Sequence, residues 1–199
     1  MAKYENCLLN QNLTRTEFCG YSLKQISDIY LANYQNVSTD LSTDSTTGTS
    51  LVSGYTVTGT TLENDDKWYH IEPAKDSSSY NDDLVVGGNG SKYRTHTMTF
   101  SFNSEYNENV AQALDMLSLG RFVAILKLSD GNGIMLGRLT GLEASAASSL
   151  SEAAADGQNG ITITLECNTT EPALVVSGDV IKKLDVYVPQ KPEDEGEGA

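Results

Sequence analysis

The side chains that could carry out acid–base or nucleophilic chemistry are few in this chain. Its 199 residues contain two histidines, His70 and His96, and three cysteines. A Ser–His or Cys–His nucleophile needs a histidine within hydrogen-bond reach of the attacking atom. His96 alternates with Met98 and Phe100 on the apolar side of a strand-like segment, where a histidine that packs in the core is the commoner case. The sequence predicts a structural role for His96. The neighbours of His70 give no sign of a catalytic role for it either.

Paired carboxylates occur at Asp65–Asp66 and Asp82–Asp83, beside turn-forming residues that favour positions in solvent. A glycosidase needs two carboxyl groups that face each other across a substrate with separated pKa values, and sequence neighbours do not provide that. The GGNG and DGNG segments neither open a helix nor precede a Lys-Ser or Lys-Thr pair, so they are not phosphate loops. Their spacing also differs from that of a twelve-residue calcium loop. We therefore predict that the protein is not an enzyme, and no catalytic residue is assigned.

Cys7, Cys19 and Cys167 form an odd number of cysteines at irregular spacing, which is not the pattern of a disulfide framework. A zinc site needs about four clustered ligands, and neither histidine lies close to Cys7 and Cys19 in the sequence. We expect inert thiols in a reducing compartment, with no metal site and no cofactor.

Charge and hydropathy exclude further classes of protein. The net charge is −14, and affinity for DNA comes from cations that neutralise phosphates, so this chain is not expected to wrap DNA tightly. No apolar run approaches the roughly 18 residues of a membrane span. The N-terminal MAKYENCLLNQ lacks the apolar core of a secretory signal, so we expect none. The length suits one domain with a substantial core.

Alternation of apolar and polar residues predicts a chain made mostly of strands. The clearest pattern is KYRTHTMTFSF from Lys92, in which every second residue from His96 to Phe102 is apolar or aromatic and the others are Thr or Ser. Arg121–Leu128 is almost entirely apolar, as in a central strand, and the SDGNG turn after it predicts a hairpin with Ile134–Leu142 as the return strand. Further strands are predicted within Ser27–Tyr34, Ser50–Thr60, Lys67–Ala74, Ile161–Cys167 and Ala173–Val176.

One helix is predicted at Glu105–Leu119, where Val110, Leu114 and Leu117 form an apolar stripe and Gly120 ends it. Ala144–Ala155 is interpreted as an extension of the preceding strand followed by a loop, and Val180–Val188 as a strand or a short helix. The polar segment Ser38–Thr49 is expected to be a mobile loop.

The predicted fold class is mainly β, an antiparallel β-sandwich or barrel with one packed α-helix at about 105–119. Residues 1–25 are predicted to be an N-terminal arm and residues 26–184 the β-sandwich domain. Residues 185–199, which include PQKPEDEGEGA, are predicted to be a disordered acidic tail.

The order of these elements from Lys92 onward resembles that of a known family. The strand THTMTFSF precedes the helix NVAQALDMLSLG, the strand pair RFVAILKLSDGNGIMLGRLTGLEAS and the segment DGQNGITITLECNTTEPALVV. Together with the N-terminal FCGYSLKQISDIYLANYQNV, this order resembles tail-tube-like virion proteins of tailed bacteriophages, in particular those of Bacteroides-type phages and prophages.

The resemblance implies a structural virion protein that is assembled in the host cytoplasm as a homo-oligomeric ring of the phage tail. Its inner sheet would line the DNA passage, with DNA as passing cargo, other tail or connector proteins as partners, and no membrane contact. A chain of like charge to the phosphates suits such a passage. Two alternatives stay open, a head–tail connector or tail ring protein and a glycan-binding β-sandwich that uses Trp68 and Tyr69.

Overall fold

The computed structural model describes residues 25–42, 54–102, 108–150 and 160–188. Within these ranges eleven strands form one mixed sheet accompanied by two short helices, so the fold is mainly β, as predicted. The helices are α1 (Glu108–Leu119) and α2 (Gly178–Ile181). The strands are β1 (Ile26–Asn33), β2 (Val37–Leu41), β3 (Thr56–Leu62), β4 (Tyr69–Ile71), β5 (Ser79–Val86), β6 (Lys92–Phe102), β7 (Arg121–Leu128), β8 (Gly133–Leu136), β9 (Leu142–Leu150), β10 (Gly160–Thr169) and β11 (Leu174–Val176).

The strands follow the order β2-β3-β11-β8-β7-β9-β10-β6-β5, and β1 pairs with the other edge of β7 and with β4. All of these pairs are antiparallel except β11 with β3, so the prediction of a wholly antiparallel sheet is wrong at that pair. β11 enters between β3 and β8 after a long connection from β3, and no hairpin fixes its direction relative to that strand.

β7 is the central strand, as its continuous apolar sequence predicted, because both of its faces are buried. Phe122, Ala124 and Leu126 contribute to a first core, formed with residues of β1, β6, β8, β9 and β10 and covered by α1. Val123 and Ile125 contribute to a second core on the opposite face, with residues of β3, β8, β11 and α2. Side chains of β6 and β10 share this first core with those of β7, so the sheet curls around it.

The hairpin predicted at SDGNG is confirmed, since β7 and β8 pair with Leu126 opposite Ile134. Its predicted return strand, Ile134–Leu142, is interrupted after Leu136 by a turn at Gly137–Gly141. Both of these glycines have positive φ, 76° and 74°. A Cβ at Gly137 would also lie 2.7 Å from a Leu142 carbon, so a glycine is required there. After the turn, β9 extends as far as Leu150, in agreement with the strand extension predicted from Ala144, and residues 151–155, where a loop was expected, lie outside the described residues.

The polar segment Ser38–Thr49 is not a loop throughout. Its first residues belong to β2, which pairs with β3 through contacts such as Val37 opposite Leu62 and Thr39 opposite Thr60. Threonine fits a pleated, half-buried surface, and a partner strand supplies the hydrogen bonds that composition alone does not reveal. The rest of the segment, from residue 43, lies outside the described residues.

The structure contains the predicted helix and one further short helix near the C-terminal end of the described residues. α1 agrees with the predicted helix over the residues described, and residues 105–107 lie outside them. The sequence predicted one helix at a definite position, and α2 is a second one. Its last two residues, Val180 and Ile181, begin the segment that was predicted to be a strand or a short helix. Neither described helix is long and apolar enough to span a membrane.

The predicted acidic tail, 185–199, includes four residues that the structure describes. Trp68 donates its backbone N–H to the Asp185 carbonyl at 2.8 Å, and Tyr187 donates to the Trp68 carbonyl at 2.9 Å. Residues 189–199 and residues 1–24 of the predicted arm lie outside the described ranges.

Replacing a residue that both shapes β7 and lies in the first core should destabilise the protein strongly. Leu126 has no exposed surface, so Leu126→Ala should lower the free energy of unfolding by about 2–5 kcal/mol. The control Leu119→Ala, at a position that is 81% exposed, should change it by less than about 0.5 kcal/mol. Urea unfolding followed by the fluorescence of Trp68, the one tryptophan, measures both, and equal effects would contradict a doubly buried β7.

Candidate functional site

The outward-facing side chains of β9, β10, β6 and β5 form a continuous polar surface, here called the polar wall. Residues directly opposite each other on antiparallel strands share a face, so the registers of these four strands define its members. They are Glu143, Ala146 and Ser148 on β9, Thr162, Thr164, Glu166 and Asn168 on β10, Tyr93, Thr95, Thr97, Thr99 and Ser101 on β6, and Ser79, Asn81, Asp83 and Val85 on β5. The opposite side of the same strands faces the first core.

The hydroxyl groups of the polar wall bind one another across β6 and β10. Thr99 and Thr164 lie 3.1 Å apart, Ser101 and Thr162 lie 2.7 Å apart, and Thr95 donates to the Asn168 side chain at 2.9 Å. Such cross-strand bonds restrict the side-chain rotamers and hold the two strands in register. The surface is therefore polar and ordered while carrying little charge.

The polar wall, over the positions named above, contains no lysine or arginine. Its charged members are Asp83, Glu143 and Glu166. Where the same face continues onto β7, Arg121 lies opposite Glu143 and forms an ion pair with it, so its charge is compensated. The cations of β6 are on the other side of that strand, because Lys92 and Arg94 occupy the positions in phase with the buried residues.

The polar wall ends in an unpaired strand edge on each side, as far as the structure describes the chain. β5 pairs with β6 alone, and Leu84 and Val86 are each more than half exposed. β9 pairs with β10 along its length but with β7 only at Leu142 and Glu143. Unpaired edges of this kind are sites at which another strand can add, and α1 packs beside part of the β9 edge.

A cluster of charged side chains lies behind the polar wall, at the end of the first core. Asp82 belongs to it, and the prediction that Asp82 lies in a turn in solvent is wrong, because Asp82 lies within β5 opposite His96 and its side chain is only 15% exposed. The Arg94 guanidinium donates to both Asp82 carboxylate oxygens, at 2.6 and 2.9 Å, and the Ala173 backbone N–H donates at 3.0 Å. Burial acts to raise the pKa of Asp82, but these hydrogen bonds outweigh it and lower the pKa.

A second ion pair completes this buried charged cluster, which consists of Asp82, Arg94, His96, Arg138 and Glu171. The Arg138 guanidinium donates to both carboxylate oxygens of Glu171, whose side chain is only 4% exposed. Fork-shaped pairing of this kind supplies the hydrogen bonds that a buried carboxylate needs. Sequence reasoning missed this pair because Arg138 and Glu171 are far apart in the chain and neither belongs to a motif.

His96 is buried in the core, as predicted, at 2% exposure. Its Nε2 lies 3.6 Å from the Asp82 carboxylate, and Cys167 is its cross-strand neighbour on β10. Burial raises the pKa of the Cys167 thiol, although hydrogen bonds from Thr140 and the His96 backbone act in the opposite direction. A thiol that stays protonated is a poor nucleophile, which agrees with the expectation for Cys167. Cys7 and Cys19 lie outside the described residues.

The other residues named as candidates are dispersed. His70 stacks on Tyr30, with ring centroids 5.0 Å apart, and contacts the Asp28 carboxylate at 2.9 Å. Asp65 is exposed, as expected, whereas Asp66 is half-buried and accepts hydrogen bonds from the side chains of Asn33 and Asn36. Among the described residues, no three His, Cys, Asp or Glu side chains converge in a way that could hold a metal ion.

The aromatic platform of the glycan-binding alternative does not form. Trp68 is 1% exposed and packs in the second core, so its ring cannot stack on a sugar. Tyr69 is exposed but packs against Tyr187, with ring centroids 5.7 Å apart.

Comparisons of the chain with protein-family models, curated proteins and solved structures found no match.

The two arginine–carboxylate pairs of this region should differ sharply in their effect on stability. Arg138→Met leaves the buried Glu171 carboxylate without a partner and should cost about 3–5 kcal/mol of unfolding free energy. Arg121→Met removes the same chemistry from an exposed pair with Glu143 and should cost at most about 1 kcal/mol. Chemical denaturation at neutral pH compares the two variants, and a similar cost for both would contradict the burial of Glu171.

Proposed function

We propose that this chain is a ring-forming structural subunit of a bacteriophage tail tube, with the polar wall facing the passage through which DNA moves. The observation that carries the proposal is the absence of lysine and arginine from the positions that make up the polar wall. The sequence resemblance to tail-tube-like proteins and the mainly β fold with a packed helix support the same function.

A passage for DNA needs a wall to which DNA does not adhere. Non-specific affinity for DNA comes almost entirely from lysine and arginine that neutralise phosphates and release counterions. The Thr, Ser and Asn side chains of the polar wall already pair with one another in part, and Asp83 and Glu166 repel phosphates. DNA would therefore pass such a surface without binding to it, and the net charge of −14 acts in the same direction.

The number of strands in the polar wall determines how copies could join. Since β9, β10, β6 and β5 are consecutive antiparallel neighbours, β9 and β5 run in opposite directions. When copies are related by rotation about a ring axis, β5 of one copy would lie antiparallel to β9 of the next. Such head-to-tail contacts generate a ring when the rotation closes, and they would extend the polar wall into a continuous inner surface.

A symmetric dimer through β5 is disfavoured by charge. A two-fold axis perpendicular to the sheet keeps each side chain on the same side of the sheet. A residue of one copy can therefore lie opposite only those residues of the other copy whose side chains are on that side. The two registers that use most of β5 place Asp82 opposite Asp82 of the second copy, or Asp83 opposite Asp83. Like charges directly opposite each other destabilise strand pairing, which leaves the head-to-tail contact with β9.

The assembly should be visible in the purified protein at high concentration. Light scattering and negative-stain electron microscopy should show rings with a central hole, and stacks of rings would favour a tube over a single-ring connector. Leu84→Glu places a charge on the exposed edge of β5 and should abolish the rings, whereas Leu119→Glu on α1 should leave them intact. Wild-type rings that persist in Leu84→Glu would contradict assembly through this edge.

The polar wall should acquire DNA affinity when cations are placed on it. Rings of the Ser79→Lys/Ser148→Lys variant should bind double-stranded DNA at least about tenfold more tightly than wild-type rings at low salt, with a steeper salt dependence. Gln112→Lys/Leu119→Lys adds the same charge on α1 and should bind more weakly than the wall variant. Fluorescence anisotropy measures both, and equal binding by the two variants would argue that the polar wall does not face the passage.

A further inference from the structure

The second nitrogen of the buried His96 ring holds a turn of the backbone. The Gly137 N–H donates to His96 Nδ1 at 3.5 Å, a long hydrogen bond in a buried setting. An Nδ1 that accepts a hydrogen bond carries no proton, so the neutral ring has its hydrogen on Nε2. That Nε2 lies 3.6 Å from the Asp82 carboxylate and has no hydrogen-bond partner among the residues that the structure describes.

Protonation of this ring would place two hydrogen-bond donors opposite each other. The imidazolium has a hydrogen on both nitrogens, so its Nδ1–H would point at the Gly137 N–H and that hydrogen bond would be lost. The ring is 2% exposed, so water does not solvate the new charge while the surroundings remain closed.

Asp82 and Glu171, including the backbone of Glu171, favour an imidazolium at His96, but they do not outweigh its burial. Asp82 on β5 and Glu171 after β10 are the carboxylates that face it, but each is already paired, with Arg94 on β6 and with Arg138 in the Gly137–Gly141 turn. The two ion pairs cancel, so a protonated ring would add an unpaired positive charge. Cys167, opposite on β10, is a protonated thiol and contributes no negative charge.

The Gly137–Gly141 turn is held at a few points besides His96. Arg138 pairs with Glu171, the Leu139 carbonyl accepts a 2.6 Å hydrogen bond from the Tyr34 hydroxyl, and the Gly141 N–H donates to the Gly137 carbonyl at 2.8 Å. The turn also lines an open groove of about 600 Å³ together with Cys167 and Glu143. Movement of the turn would therefore hydrate His96 and reshape this groove.

We propose that His96 is a pH-sensitive latch, which holds the Gly137–Gly141 turn closed while its Nδ1 is unprotonated and releases it on acidification. Burial lowers the pKa of His96, an effect to which Arg94 adds and which Asp82 and Glu171 oppose. Because the folded pKa lies below the unfolded value of about 6.5, the closed form is fully stable above that pH and loses stability as the pH falls below it.

Hydrogen exchange of backbone amides in the turn tests the latch between pH 7.5 and 5.0, above the usual titration range of carboxylates. After correction for intrinsic exchange rates, protection of peptides that contain Gly137 should fall by up to about tenfold for each pH unit below the unfolded value of about 6.5, and should level off below the pKa of the folded state. His96→Gln keeps an acceptor that does not titrate, so its protection should not vary with pH. His70→Gln removes the one other histidine and should behave like the wild type.

Titration of the His96 ring by NMR in the wild type keeps the test independent of how the variants fold. The midpoint of ring protonation should coincide with the midpoint of turn opening. Protection that stays constant to pH 5.0, a fall that persists in His96→Gln, or an opening whose midpoint differs from that of the ring would each overturn the proposal.

Discussion

The burial of both faces of β7 is the constraint on which the other elements depend. A strand with apolar side chains on both faces must be covered from two sides, and here Ala124 and Leu126 require the first core while Val123 and Ile125 require the second. The first core obliges β6 and β10 to lie across from β7, which turns their polar faces outward. On the other face of β7, the second core is formed with Trp68, β11 and α2. Much of the curled sheet thus follows from one apolar run.

The period of two along β5 and β6 separates two kinds of polar chemistry on the same strands. Thr95, Thr97 and Thr99 face outward and carry no charge, while Arg94 and His96 alternate with them toward the core, where Asp82 provides the counter-charge. A slip of one residue in the β5–β6 register would bring the arginine to the outer surface and the threonines into the core. The ion pair between Arg94 and Asp82 opposes such a slip, because a half-buried charge without its partner is costly.

The parts of the fold that the sequence predicted are those in which a local pattern determines the structure. The alternation in Lys92–Phe102, the apolar run of β7 and the turn residues Ser129–Gly133 each specify an element whatever lies nearby. β2 could not be predicted, since Ser38–Leu41 becomes a strand only because β3 supplies hydrogen bonds from a distant part of the chain. The buried charged cluster could not be predicted for the same reason, because its ion pairs join residues that only the tertiary fold brings together.

The position of the buried charged cluster follows from a branch in the sheet. On one edge of β7, residues 124–127 pair with β8 and residues 121 and 122 pair with β9, so the chain must leave the ladder between the two strands. Backbone groups in that gap lack strand partners and, once buried, need others. The Gly137 N–H finds the His96 ring, and the Leu139 carbonyl finds the Tyr34 hydroxyl. Polar side chains are therefore required behind the polar wall at the point where the two parts of the sheet diverge. Because His96 is one of these side chains, the conformation of the chain at this branch depends on the protonation of a single ring.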